Sequence, residues 1–130
     1  MTSEPNGEPT IEPGLRESMG LFDAGEYHAA HERLDLLWEA SSGLDSDFLK
    51  GLIQACICMH HFRRGNLEGA AKLYSGHRRY LAAYLPAYRG IDVALLLAEM
   101  QRVLRPVVRA QPGRVATFEP ADRPRIGFAG

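Results

Sequence analysis

The sequence has few of the features that mark membrane or secreted proteins. No apolar run approaches the roughly 20 residues that a transmembrane helix needs. Only two cysteines are present, Cys56 and Cys58. Their spacing on a helix directs them to different faces, which excludes a mutual disulfide and a zinc knuckle. The start of the chain is acidic and contains prolines, unlike a secretory signal, so we expect a cytoplasmic protein.

Motifs of several common enzyme classes are also missing. No glycine-rich loop follows a predicted strand, which argues against dinucleotide-binding and P-loop sites. The chain contains no Gly-x-Ser-x-Gly elbow, and the loop serines Ser41, Ser42 and Ser46 have no evident base beside them. The sequence therefore gives no support for nucleophilic catalysis.

The charge of the chain is nearly balanced in total but divided along its length. The net charge is −1, yet residues 1–50 hold eleven acidic and three basic residues, and residues 51–130 hold five acidic and twelve basic ones. No base-reading or phosphate-binding motif accompanies the basic half, so nucleic acid is not the expected partner. The split indicates instead that acidic and basic helices pack together, within the chain or between subunits.

Hydrophobic periodicity predicts an all-α protein. With 130 residues and 45% hydrophobic content, the chain has enough apolar material for one core. We predict a flexible leader at residues 1–10, a helical-bundle domain at 11–110 and an extended tail at 111–130, whose segment PRIGF is apolar enough to dock on the bundle. The bundle is expected to be compact, with about five helices arranged as antiparallel hairpins and no strand. Asn66 and Asp92 are predicted to cap the fourth and fifth helices.

A set of polar residues falls on the inner faces of the second and third helices. His31 and Asp35 stand four residues apart, where a histidine and a carboxylate can hydrogen-bond. In an antiparallel hairpin, His60 is offset from His31 by roughly 9 Å along the axis, so Tyr27 is an equal candidate for its partner. We predict a polar seam of Tyr27, His31, Asp35 and His60, closed by Trp38.

This seam has a structural and a chemical interpretation. In the first, which we favour, a buried histidine paired with Asp or Tyr fixes the register of the hairpin, or the seam binds a ligand or partner. In the second, His31, Asp35 and His60 bind a divalent metal that keeps open positions. Glu32 follows His31 as in zinc proteases, but Asp35 stands where their second histidine would be. No cofactor is firmly implied.

Three segments together resemble a known prokaryotic family. They are FDAGEYHAAHERLDLLW, FLKGLIQACICMHHFRRGNLEGAAKL, and YRGID with the tail motif PRI, and they resemble the domain of unknown function 309 (DUF309). Around the first segment the family pattern is matched at Phe22, Gly25, Tyr27, His31, Glu32, Leu34 and Trp38. Asp35 departs from it, because the family more often has Glu there. The resemblance implies an all-helical bundle, directs attention to the group of His31, Glu32, Asp35 and His60, and implies no reaction.

The sequence thus predicts a small soluble helical bundle of unestablished biochemical role. Its seam is structural or binds a ligand or partner, and self-association is included among the expected partners. The alternative is a small metal-dependent or acid–base enzyme, hydrolase-like, that uses His31, Asp35 or Glu32, and His60. Two further histidines, His28 and His77, lie outside the predicted site.

Overall fold

The computed structural model describes residues 11–109 and 116–129, so the predicted leader 1–10 and residues 110–115 and 130 lie outside it. Five helices follow one another along the chain: α1 Glu12–Asp23, α2 Tyr27–Glu39, α3 Gly43–Arg63, α4 Leu67–Leu81 and α5 Val93–Val108. The predicted all-α fold with five helices is confirmed. None of these helices combines the length and apolar content that crossing a bilayer requires.

The helices begin and end where local sequence signals place them. The side chain of Asn66 accepts a hydrogen bond from the amide of Gly69 at 3.0 Å and caps α4. Asp92 accepts from Leu95 at 2.9 Å and caps α5 in the same way. Both predicted caps are confirmed. Gly25, which precedes α2, has φ of +85°, a conformation that favours glycine and lets the chain reverse direction.

A short hairpin between α4 and α5 was not predicted. Strands β1 (Ala87–Tyr88) and β2 (Ile91–Asp92) pair antiparallel. The two corner residues, Arg89 and Gly90, have φ of +50° and +82°, as in the two-residue turns that join twisted strands. The prediction that the chain contains no strand is therefore wrong at this turn. Strands of two residues are too short to show an alternating hydrophobic pattern, which is why periodicity missed them.

The third helix is the centre of the bundle. It packs against α2 on one side and α4 on the other, while α1 packs on α2 and α5 packs on α4. Because neighbours cover it on several sides, α3 contributes the largest group of buried residues: Phe48, Leu49, Gly51, Leu52, Ile53, Ala55, Cys56, Cys58, Met59 and Phe62. A helix that is apolar nearly all round is expected at such a position.

The described part of the tail, 116–129, runs back along the bundle. The amide of Asp92 donates to the carbonyl of Gly127 at 2.9 Å, and Ile91 and Phe128 form an antiparallel bridge. Pro124 is buried. The tail therefore extends the small hairpin by one bridge.

Ion pairs join the acidic first half of the chain to its basic second half. The guanidinium of Arg89 donates through Nε and Nη2 to the two carboxylate oxygens of Asp45, both at 3.0 Å. Tyr88 adds a hydroxyl hydrogen bond of 2.6 Å to the same carboxylate. Part of the charge split is thus compensated within the chain.

Candidate functional site

A cavity of about 260 Å³ lies between the first half of α2 and the second half of α3. Each helix lines it with three side chains at positions i, i+1 and i+4, which share one side of a helix. They are Tyr27, His28 and His31 from α2, and Cys56, Ile57 and His60 from α3. We call this space the histidine cavity. Only an antiparallel hairpin brings the start of one helix beside the end of the next in this way.

The three imidazoles form a chain of ring contacts around the cavity. The ring centroid of His28 is 6.0 Å from that of His60 and 6.3 Å from that of His31. His28 therefore lies between the two histidines that the sequence singled out. This arrangement agrees with the axial offset expected between His31 and His60, since a residue nearer the start of α2 meets the end of α3.

Two of these histidines are paired with carboxylates of their own helix. Nε2 of His31 lies 3.0 Å from Oδ2 of Asp35, and Nε2 of His28 lies 3.4 Å from Oε2 of Glu32. The His31 side chain is 29% exposed and that of His28 is 65% exposed. A carboxylate on one ring nitrogen fixes the orientation of the imidazole.

Tyr27 is the most deeply buried polar residue of the cavity wall. Its ring packs edge-on against Phe22 at 5.2 Å, and the guanidinium of Arg63 lies over it at 5.3 Å. Its hydroxyl is buried and has no hydrogen-bond partner among the described residues. Burial raises the pKa of Tyr27 to about 12, so the phenol is neutral at physiological pH.

His60 also has a buried polar atom in its imidazole ring. Its Nδ1 is buried and forms no hydrogen bond to any described residue. Desolvation lowers the pKa of His60, and the positive charges of Arg63 and Arg64 lower it further. The imidazole is therefore held in its neutral form within positive surroundings.

Cys56 completes the wall as an unreactive thiol. It is fully buried and free. Burial raises its pKa far above the ordinary value, and the nearby charge of Asp35 raises it further. Because the thiolate is the reactive form of cysteine, the protonated Cys56 contributes apolar surface rather than a nucleophile.

The structure brings together three of the six predicted site residues. Tyr27, His31 and His60 line the histidine cavity, whereas Glu32 and Asp35 reach it only through the histidines they pair with. Trp38 is 39% exposed and does not line the cavity, so the prediction that it closes the seam is wrong. It lies in the last turn of α2, at the edge of the buried face, where fewer neighbouring residues cover it.

Three residues of the cavity wall, His28, Cys56 and Ile57, were not predicted from the sequence. A usable signal existed for His28, because Glu32 follows it by four residues just as Asp35 follows His31. His28 also stands nearer than His31 to the start of α2, which is the end that meets His60. Cys56 and Ile57 carry no polar signal and are recognised only from the packing of the hairpin.

No ready metal site accompanies these groups. Within 11–109 and 116–129, no three His, Cys, Asp or Glu side chains are grouped so that they could hold a metal ion. The side chains of the predicted ligands His31 and Asp35 are paired with each other at 3.0 Å, and Asp35 is not in the cavity wall. What the wall offers is a neutral phenol, a neutral imidazole and two carboxylate-paired histidines. These groups can hydrogen-bond a bound molecule or transfer a proton.

Comparisons with known proteins agree with the resemblance found in the sequence. An uncharacterized protein of Aquifex aeolicus (strain VF5) is 28% identical over 91 residues. That alignment covers 69% of this chain and 27% of the relative, so the chain spans about a quarter of the relative's length. The family described as "Domain of unknown function (DUF309)" matches residues 15–73, which include α2 and α3 and every residue of the cavity wall. The chain thus matches DUF309 over these residues, and the predicted resemblance is confirmed for residues 15–73.

Proposed function

We propose that this chain binds a small molecule in the histidine cavity. The observation that carries the proposal is the pair of buried, unpartnered polar atoms, the Tyr27 hydroxyl and His60 Nδ1, on two residues of one cavity wall. A buried polar group without a partner costs about 1–3 kcal/mol, so proteins rarely keep two of them beside an open space. A ligand that hydrogen-bonds to both atoms, once their side chains turn toward the cavity, removes that cost.

The surroundings of the cavity favour a ligand with a negatively charged or strongly polar acceptor. Both unpartnered groups can donate a hydrogen bond, since the phenol is protonated and a neutral imidazole can carry its proton on Nδ1. Arg63 and Arg64 make the surroundings of His60 positive. Cys56, Ile57 and the ring of Tyr27 provide an apolar wall. A small carboxylate with an apolar body fits this combination.

Benzoate is a suitable first probe, with benzyl alcohol as its uncharged analogue. We expect benzoate to shift the NMR signals of His28, His31 and His60, and to bind more tightly than benzyl alcohol. The Y27F variant should weaken benzoate binding by roughly tenfold, because one hydrogen bond to a charged group is lost. Its melting temperature should be unchanged or higher, because the removed hydroxyl has no hydrogen-bond partner in the described part of the chain.

Y80F is the matched control, since it removes a tyrosine hydroxyl from α4, away from the cavity. It should bind benzoate as the wild-type protein does. If neither probe shifts the cavity signals, the proposed ligand class is wrong. If Y27F binds normally but loses stability, the hydroxyl has a structural role and the proposal is wrong.

Acid–base catalysis is the second candidate, supported by the 3.0 Å pair of His31 and Asp35 at the cavity wall. In this version His31 accepts a proton from a bound nucleophile such as water, and Asp35 orients the ring. With p-nitrophenyl acetate as substrate, H31Q should lower the rate by roughly 100-fold or more and D35N by less. Exposed histidines also cleave activated esters, so H61Q measures the background. A rate equally lowered by H61Q would contradict this version.

The metal-dependent version and the predicted partners have separate tests. If His31, Asp35 and His60 form a divalent-metal site, Zn²⁺ should bind one equivalent, and both H31Q and H60Q should lose it. Zn²⁺ binding that survives both changes would contradict this ligand set.

For the proposed self-association, light scattering at several protein concentrations should give a mass above that of one chain. The cytoplasmic location is likewise our proposal, and cell fractionation measures it.

A further inference from the structure

A second cavity, of about 210 Å³, lies between α4 and the end of α5. Tyr74 of α4 forms one wall, and the other consists of four α5-side residues that share one helical face: Gln101, Arg105, Val108 and Arg109. We call it the arginine groove. Its side chains come from elements other than those of the histidine cavity, so it is an independent site.

The cationic side chains of the groove are not neutralised by acidic ones. No acidic residue is among the described residues that line it. The arginine ion pairs in the described chain involve Arg33, Arg89 and Arg102, and neither Arg105 nor Arg109 donates a side-chain hydrogen bond there. Arg105 and Arg109 therefore line one space with no acidic counter-ion among the described residues.

Arg102, on the same helix, shows the usual alternative. Its guanidinium donates two hydrogen bonds to the carboxylate of Glu99, at 3.1 and 2.9 Å. By contrast, Arg105 and Arg109 stand four residues apart, where like charges on a helix repel each other. The partial negative charge at the helix C-terminus stabilises both arginines, but it does not provide hydrogen-bond acceptors for their guanidinium N–H groups. An anion between them would supply the missing acceptors.

The opposite wall of the groove is aromatic and held in place. The guanidinium of Arg78 lies over the Tyr74 ring at 5.4 Å, while its Nη1 donates to the carbonyl of Leu97 at 3.3 Å. Arg78 therefore adds a third positive charge beside the groove and fixes the ring. Val108 is 52% exposed and continues this apolar surface.

We propose that the arginine groove binds a phosphate monoester with a small apolar or aromatic ester group. The two guanidinium groups of Arg105 and Arg109 hydrogen-bond the phosphate oxygens and match its double negative charge. The Tyr74 ring and Val108 contact the ester group, and the Gln101 amide hydrogen-bonds its polar atoms. A monocarboxylate would neutralise only one of the two arginines.

Phenyl phosphate tests this site in the full chain, with inorganic phosphate and phenol as its two halves. We expect phenyl phosphate to bind more tightly than either half and to shift the NMR signals of Tyr74 and Gln101. R105Q and R109Q should each weaken its binding by roughly tenfold or more, because each removes a charge-assisted contact. Y27F should leave this binding unchanged, which separates the groove from the histidine cavity.

R79Q is the matched control, because it removes one exposed arginine from α4 outside the groove. It should retain the wild-type affinity. Equal weakening by R79Q would show a diffuse charge effect and overturn the proposal, as would unaltered binding in both groove variants. The proposal also fails if phenyl phosphate does not bind, or if a single-stranded oligonucleotide binds through Arg105 and Arg109 while phenyl phosphate does not. Circular dichroism of each variant confirms that it is folded.

Discussion

Arg123 and Asp23 connect the tail to the first helix across 100 residues of sequence. Nε of Arg123 donates to the backbone carbonyl of Asp23 at 2.6 Å. The Asp23 carboxylate in turn accepts from the backbone amide of Ile126 at 3.1 Å. One residue at the end of α1 thus holds the tail at two points.

Removing either of these contacts should release the tail. We expect D23A and R123Q to speed hydrogen exchange of the Ile126 amide, because the loss of one hydrogen bond favours local opening. Amides in α3 should exchange as before. R125Q is the control, since its side chain is exposed and the backbone amide of Arg125 donates to Glu99 in either case. Unchanged exchange at Ile126 in both variants would show that other contacts hold the tail.

Two helical glycines should respond in opposite ways to alanine. A Cβ atom at Gly51 would lie 2.6 Å from Cδ2 of Leu81 and 3.0 Å from Cβ of Tyr80, so α3 and α4 would have to separate. G51A should destabilise the protein by about 1–3 kcal/mol. At Gly20 nothing lies within 4 Å of such an atom. G20A should therefore stabilise α1 by about 0.5–1 kcal/mol. Urea unfolding measures both, and equal effects would contradict the close approach of the two helices.

Buried His77 should make the stability depend on pH. Burial lowers its pKa to about 4, its Nδ1 lies 3.3 Å from the carbonyl of Leu73, and its buried Nε2 has no partner among the described residues. The folded pKa is below the unfolded value, so the unfolded chain takes up the proton first as pH falls. The contribution of neutral His77 to the free energy of unfolding should be fully present above about pH 6.5. It should decline by about 3 kcal/mol toward pH 4.

The His77 effect is isolated by comparing variants over the same pH range. H77L should flatten the wild-type curve of unfolding free energy between about pH 6.5 and 4, whatever its stability at neutral pH. H61Q, which changes a histidine on α3, should leave the slope contributed by His77 in place. A wild-type slope that survives in H77L would show that another group is responsible.

A tyrosine hydroxyl links the short 3₁₀ helix that follows α4, Ala82–Tyr84, to the start of α3. The hydroxyl of Tyr84 donates to the carbonyl of Leu44 at 2.7 Å, and its ring packs on Phe48 at 5.1 Å. Y84F keeps the ring and should lower the free energy of unfolding by about 1 kcal/mol, because the hydrogen bond to the Leu44 carbonyl is lost. Y80F again serves as the control. Thermal unfolding measures the difference, and identical curves for Y84F and wild type would contradict the role of this bond.

The sequence predicted the elements well because their signals are local. A 3.6-residue hydrophobic period marks a helix wherever it packs, and Asn66 and Asp92 cap helices through amides only three residues away. The two short strands were missed for the complementary reason. Their pairing involves two residues on each side of a turn and leaves no period to detect.

The candidate site was predicted in part. Tyr27, His31 and His60 were identified as inward polar residues, and they do line one cavity. His28 was overlooked although its pair with Glu32 was visible in the spacing. Trp38 was predicted to point inward because a helical projection treats every turn of a helix as equally buried by its neighbours. Its position in the last turn of α2 leaves it 39% exposed.

The sequence by itself therefore determined an all-helical chain, its caps and the residue types available for a site, since each depends on neighbours within about one helical turn. Only the tertiary structure decided which histidine meets His60 and that Arg105 and Arg109 share a groove with Tyr74. It also decided that the Tyr27 hydroxyl and His60 Nδ1 have no hydrogen-bond partner among the residues the structure describes. Those facts depend on the register and separation of packed helices, which are set by side chains far apart in sequence.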